Sequence, residues 1–88
     1  MLNKLQELMI ITMEECGELT QECSKILRKF DAIEEVNLEH RKKLLEEVGD
    51  VQCLINLMID CGLLTKSDID ARIDTKRDKL EKWSKLIK

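Results

Sequence analysis

The sequence has no proline, only one histidine and only two aromatic side chains, Phe30 and Trp83. It also lacks linkers, repeats and low-complexity stretches, so its 88 residues predict one domain, 1–88, with a modest core that oligomerisation would help. The net charge of −3 provides no general polyanion-binding surface, which argues against a nucleic-acid partner. No apolar run approaches the roughly 18 residues that span a bilayer, and no secretory signal begins the chain. We therefore expect a cytoplasmic protein without membrane contact.

The four cysteines form no CxxC pair and, with a single histidine, give no zinc-ligand pattern. Cys16 and Cys23 are expected to be small core residues of a reduced protein. A di-iron carboxylate bundle needs two Glu-x-x-His motifs, which His40 alone cannot supply. A phosphate-binding glycine loop and a Ser/His/Asp set are also missing, which excludes P-loop and triad chemistry.

Apolar periodicity predicts an all-α protein with three helices. The first helix should run from near residue 2 to near residue 30, followed by a loop over 31–39. Its expected core stripe steps by three and four: Leu2, Leu5, Met9, Cys16, Leu19, Cys23, Ile26 and Phe30. A second stripe, from Leu44 to Met58, predicts a central and buried second helix.

The third helix is predicted from its start and stop signals. Gly62 is a plausible terminator of the second helix, and either Thr65 or Ser67 can cap the third. The apolar stripe that ends at Ile87 predicts that this helix continues to the C-terminus.

Two pairs of acidic residues, each spaced three apart, lie in the first two predicted helices: Glu15 with Glu18, and Glu47 with Asp50. Residues three apart share one helix face, so two packed helices can direct four carboxylates to one point. The pairs are bounded by apolar residues, and carboxylates clustered without nearby cations repel one another unless a cation binds. Oxygen ligands alone suit Mg²⁺, with Mn²⁺ as a substitute, and Mg²⁺ commonly binds substrate phosphates as well. A nucleotide substrate is therefore indicated.

The same line of side chains on the first helix changes from apolar to acidic to basic: Leu8, Ile11, Glu15, Glu18, Glu22, Lys25 and Lys29. Charge runs on helices are usually solvated faces, and the spacing alone fits that interpretation as well. A non-catalytic helical dimerisation module therefore stays open as an alternative.

The segments EECGEL at 14–19 and EEVGDV at 46–51 resemble the paired EExxE and ExxD motifs of the MazG-like, all-α nucleoside triphosphate pyrophosphohydrolases. The resemblance extends over nearly the whole chain, including LINL at 54–57 and KRDKLEKW at 76–83, which is similar to the C-terminal helix of small single-domain members. It implies Glu15, Glu18, Glu47 and Asp50 as Mg²⁺ ligands. It also implies hydrolysis of a (d)NTP to (d)NMP and pyrophosphate by metal-activated water. Phosphoribosyl-ATP pyrophosphohydrolase, with a related fold and like motifs, is the nearest alternative.

Further candidate residues surround the two motifs. Glu14 and Glu46 could orient or deprotonate the attacking water, although surface glutamates without a role are the alternative. Asn56 could contact the base or sugar, or form an interhelical hydrogen bond. Because a polyphosphate needs more positive charge than the metal supplies, the candidates for phosphate contacts are Lys25, Arg28, Arg72, Lys76 and Lys79.

Assembly and substrate preference follow from the apolar residues. Three helices leave apolar stripes that a monomer of this size cannot cover, so we expect a homodimer. Helices 1 and 2 would form a four-helix bundle with those of the partner, and dimers can pair further into a tetramer as in relatives. The preferred base and sugar cannot be predicted, because Phe30 and Trp83 are equally suited to the core.

Overall fold

The computed structural model describes residues 1–87, which form three α-helices and a short 3-10 turn, with no β-strand in that range. The elements are α1 (Lys4–Lys29), the 3-10 turn (Ile33–Glu35), α2 (Leu38–Asp60) and α3 (Lys66–Trp83). The predicted all-α class with three helices is confirmed. None of the helices within these residues is long and apolar enough to cross a membrane.

The chain divides into two compact units. The first, Met1–Leu57, contains α1, the 3-10 turn and most of α2, and the second begins at Met58 and contains α3. The candidate metal ligands all belong to the first unit, and the single functional domain stays a prediction.

A reciprocal cap starts α1. The Asn3 side chain accepts a hydrogen bond from the Gln6 backbone N–H at 2.8 Å, and the Gln6 side chain accepts one from the Asn3 N–H at 3.0 Å. Arg28 and Lys29 occupy the last turn, where positive charge complements the helix dipole. The predicted extent of the first helix is therefore confirmed to within two residues.

The start of α2 differs from the prediction. The expected loop over 31–39 is wrong at its end, because α2 begins at Leu38. Asn37 accepts a hydrogen bond from the His40 backbone N–H at 2.9 Å and satisfies a free donor of the first turn. Arg41 then ties the helix to the preceding turn by donating to the carbonyl oxygens of Val36 and Ile33, each at 2.7 Å.

Gly62 ends α2 as predicted. It has φ of +81°, the left-handed region that favours glycine, and its N–H donates to the Ile59 carbonyl while that of Leu63 donates to Met58. This pair of bonds is the Schellman arrangement.

The limits of α3 partly match the prediction. Thr65 is the N-cap, since its hydroxyl accepts from the Asp68 N–H at 3.2 Å. The expected continuation to the C-terminus is wrong, because α3 ends at Trp83. There the Ser84 hydroxyl accepts from the Leu86 N–H at 3.0 Å, a local bond that competes with helix continuation.

The apolar core is small. Among the described residues, Leu8 and Leu54 are the buried hydrophobic side chains, and Glu22 and Glu47 are the buried charged ones. The face of α1 that packs on α2 therefore includes acidic residues and lies beside the predicted apolar stripe. Leu5 of that stripe is 55% exposed.

Two predictions of burial are consequently wrong for the single chain. All four cysteines are exposed, including Cys16 and Cys23, because the residues of α1 that are buried are Leu8 and Glu22 instead. The second helix is not buried all round either, since Leu45 is 71% exposed.

Substitution of Gly62 tests the turn that ends α2. A Cβ at this position would meet no atom within 4 Å, so the cost of Gly62→Ala comes from the backbone conformation alone. We expect a loss of roughly 1 to 2 kcal/mol in the free energy of unfolding, measured by urea denaturation. Gly62→Asn is the matched control and should lose less, because asparagine tolerates the left-handed region. Equal stability of Gly62→Ala and the parent protein would contradict this account.

Candidate metal centre

Four carboxylates from two helices converge at one point in the first unit. We call them the acidic cluster: Glu15, Glu18, Glu47 and Asp50. One oxygen of each lies within 4.8 Å of the corresponding oxygen of every other. The spacing of three within each motif turns both acids of a helix to the same side, and the packing of α1 on α2 joins the two pairs. All four residues predicted as ligands are therefore brought together.

Two oxygens of the acidic cluster are buried without a hydrogen-bond partner among residues 1–87: Glu15 Oε2 and Glu47 Oε2. The Glu47 side chain is only 3% exposed. A buried carboxylate oxygen without a partner is unfavourable, because it has lost water and gained nothing in return. A divalent cation would satisfy both oxygens, and a site made only of oxygen donors suits Mg²⁺ or Mn²⁺. The residues present therefore fit such an ion.

Glu15 shows the electrostatic consequence of this crowding. Burial is the main reason that its pKa is raised above the ordinary value of 4.5, and the negative charges of Glu18 and Asp50 raise it further. The ionised form of Glu15 is thus disfavoured until positive charge arrives.

Lys43 supplies part of that charge. Its Nζ lies 2.8 Å from Glu47 Oε1, so the expectation that no cation lies near the acids is wrong. This hydrogen bond is the main reason that the pKa of Glu47 is lowered, and the charge of Lys25 lowers it as well. The same bond raises the pKa of Lys43. Only one oxygen of Glu47 is compensated, however, since Oε2 stays without a partner among the described residues.

Two adjoining cavities lie beside the acidic cluster. A cavity of about 210 Å³ is lined by Glu18 and Glu47 of the cluster and by Gln21, Glu22, Lys25 and Lys43. The larger one, of about 480 Å³, is lined by four lysines and is called the lysine groove; its lining is Glu22, Lys25, Lys29, Glu39, His40, Lys42, Lys43 and Glu46. Three residues are common to both cavities, so the carboxylates lead directly into a region rich in ammonium groups.

The other candidate residues of the first unit have different surroundings. Lys25 lines both cavities, whereas Arg28, one turn further along α1, lines neither of these two as formed by residues 1–87. Glu46 lines the lysine groove, and Glu14 is exposed on α1. Asn56 is exposed and accepts a hydrogen bond from Gln52 of the same helix at 3.0 Å.

The remaining candidates for phosphate contacts lie in the second unit. All are exposed on α3: Arg72, Lys76 and Lys79. Their contribution to a phosphate site stays a prediction.

Several residues of the site had not been predicted. Lys43 could have been found from the sequence, because it lies four residues before Glu47 and such pairs meet on a helix. The bond between His40 and Glu22 has no local signal, since these residues are 18 apart in the chain. Lys29 and Lys42 become part of the site only through the packing of α1 on α2.

Comparisons of the chain with models of known protein families, with curated proteins and with solved structures gave no match. The assignment of a function therefore depends on the acidic cluster, on the cavities beside it and on the two sequence motifs.

Glu15→Gln tests the charge balance of the acidic cluster. Folding raises the pKa of Glu15 above its ordinary value of 4.5. Between these two pKa values the folded protein binds more protons than the unfolded protein. In EDTA, Glu15 should therefore make the protein less stable as the pH rises through this window. Glu15→Gln should remove that loss and melt at a higher temperature than the parent protein at neutral pH.

Thermal unfolding with EDTA and with Mg²⁺ across this pH range measures the effect. Mg²⁺ should raise the melting temperature of the parent protein and do so less in Glu15→Gln. Glu14→Gln is the matched control, with the same loss of charge one residue away but outside the cluster. Identical behaviour of the two variants would contradict a cation site at Glu15.

Proposed function

We propose that this protein is a Mg²⁺-dependent nucleoside triphosphate pyrophosphohydrolase, which converts a (d)NTP to the (d)NMP and pyrophosphate. The observation that carries the proposal is the convergence of four carboxylate oxygens within 4.8 Å, from two motifs in different helices. These are the same four residues that the resemblance to MazG-like enzymes implies as ligands. A solvated helix face requires neither convergence between helices nor buried carboxylate oxygens without partners.

The residues around the acidic cluster suit hydrolysis of a phosphoanhydride. The cluster would hold Mg²⁺, with Mn²⁺ as a substitute. When bound, Mg²⁺ supplies positive charge against phosphate oxygens and lowers the pKa of an attacking water. Lys25 and Lys43 add ammonium groups beside the cluster, where they can neutralise the remaining charge of the phosphate chain. Glu46 lines the adjoining lysine groove, which supports it over Glu14 as the acceptor of the proton from water.

Replacement of two cluster residues tests this function. Glu18→Gln and Asp50→Asn should keep the helical circular dichroism spectrum, because both side chains are exposed and each change removes one charge from a repelling group. Turnover of a (d)NTP at limiting Mg²⁺ should fall by about 100-fold or more, as expected when charge stabilisation in the transition state is lost. Glu7→Gln, an exposed glutamate of α1 outside the cluster, is the control and should retain activity.

The products distinguish the reaction. A substrate panel of canonical and modified (d)NTPs, together with phosphoribosyl-ATP, should be followed by ³¹P NMR. Pyrophosphate should form and orthophosphate should not. Release of orthophosphate, or unchanged turnover in both cluster variants, would refute the proposed chemistry.

The exposed apolar surface supports a homodimer. Leu5 and Met13 of α1 are 55% and 73% exposed, and Leu45 and Val48 of α2 are 71% and 46% exposed. Only two hydrophobic side chains are buried among the described residues, so these apolar side chains are available for contact with a second copy. Pairing α1 and α2 with the same helices of a second copy would give a four-helix bundle, and such dimers could pair further into tetramers.

Light scattering at micromolar concentration tests the assembly. The parent protein should have at least the mass of a dimer, and Leu5→Lys and Leu45→Lys should shift it toward the monomer. Each change brings a charge into the apolar contact, which is unfavourable. Leu86→Lys is the control, because this leucine lies outside α1 and α2 and is 75% exposed. A monomeric mass for the parent protein would overturn the proposal of a dimer.

A further inference from the structure

Three polar side chains form a continuous chain at the lysine groove. Glu22 is buried to 2% exposure, and its Oε1 lies 3.0 Å from His40 Nδ1. On the other side of the ring, His40 Nε2 lies 3.3 Å from Lys29 Nζ. A carboxylate group can accept hydrogen bonds but cannot donate them, and an ammonium group can donate hydrogen bonds but cannot accept them. With Lys29 as the donor, Nε2 of His40 accepts and the Nδ1–H of His40 donates to Glu22.

The contacts of His40 with Glu22 and Lys29 fix the position of the Lys29 ammonium group. The His40 side chain is only 12% exposed, and its ring meets the ring of Phe30 edge-on, with centroids 5.3 Å apart. An exposed lysine normally samples many rotamers, whereas here its Nζ is tied to a ring that is itself held by a buried carboxylate. An ammonium group has three donors, and only one is used on His40. Two remain for a ligand in the groove.

The groove suits a chain of phosphate groups. Lys25 and Lys42 line it together with Lys29. Glu39 and Glu46 also line it, and neither takes part in the hydrogen bonds between Glu22, His40 and Lys29. Lys25 also lines the smaller cavity beside the acidic cluster. A ligand can therefore extend from the carboxylates past Lys25 to Lys29 without leaving the connected cavities.

We infer that Lys29, held by His40 and Glu22, forms a subsite for the terminal phosphate of the substrate. This inference rests on the proposed function, because the acidic cluster would bind the phosphate group that is attacked. The polyphosphate then lies along α1 in the direction of its C-terminus, and the pyrophosphate group that leaves is bound by lysines and not by carboxylates.

Binding of inorganic pyrophosphate in EDTA tests the subsite without any hydrolysis. Isothermal titration calorimetry on the full chain should detect binding by the parent protein, and the affinity should fall about tenfold in Lys29→Gln, as for the loss of a charged hydrogen bond. Lys4→Gln is the matched control, with the same substitution at an exposed lysine of α1 that lines neither of the two cavities. It should retain the parent affinity. Because both side chains are exposed, neither change should affect folding.

The role of His40 as a positioning residue has its own test. His40→Leu removes the acceptor for Lys29 and should weaken pyrophosphate binding as Lys29→Gln does. His40→Gln, which has both a donor and an acceptor, should restore part of the affinity. Unchanged affinity in a folded His40→Leu protein would overturn the positioning role, and Lys29→Gln decides the subsite if His40→Leu fails to fold.

The outcomes separate this inference from the proposed function. Equal affinities of Lys29→Gln and Lys4→Gln, or no binding of pyrophosphate without metal, would overturn the subsite. Hydrolysis of (d)NTPs in the same preparation would then still support the enzyme. Binding that depends on Lys29 without hydrolysis of any substrate in the panel would support the subsite and overturn the proposed activity.

Discussion

The contact between α1 and α2 contains carboxylates where a small helical protein would ordinarily place apolar side chains. Glu22 and Glu47 are the buried charged residues among those described, and only Leu8 and Leu54 are buried hydrophobic residues there. Each buried acid has a basic partner, His40 for Glu22 and Lys43 for Glu47. These partners compensate one oxygen each, while burial and then the neighbouring negative charges raise the pKa of Glu15. The first unit is thus held together around charges that its own side chains balance only in part.

This arrangement reduces the apolar surface that the single chain can bury. Because the acidic face of α1 is directed to α2, the neighbouring apolar face, with Leu5, Cys16 and Cys23, is left exposed. Functional sites commonly depart from the rules of stable packing, and the loss is made up elsewhere in the structure. The proposed dimer would recover stability by covering the apolar face. A bound cation would recover stability by satisfying the buried oxygens.

The distribution of charge along α1 supports the proposed ligand, a phosphate chain with Mg²⁺. The acids of the cluster come first along α1, and Lys25 and Lys29 follow. The smaller cavity is lined by three glutamates and two lysines, and the lysine groove by three glutamates and four lysines. A phosphate chain that carries Mg²⁺ has both negative and positive charge. Lys25, which lines both cavities, occupies the boundary between the acidic and basic regions.

The sequence by itself determined the three helices, the end of α2 at Gly62 and the two pairs of carboxylates, because each depends on spacing within one helix or on a local turn. It did not determine the start of α2. Residues 38–43 are mostly charged and show no apolar repeat, so the sequence does not indicate that a helix follows Asn37 or that Asn37 is its cap. Periodicity also could not decide which of two adjacent faces of α1 contacts α2, because both repeat with the same step. Only the tertiary structure decided that the acidic face does so, and with it the pairing of Glu22 with His40 and the inclusion of Lys29. Those contacts join residues that are distant in the chain. They form because two helices pack together, and the residue periodicity of either helix alone does not predict them.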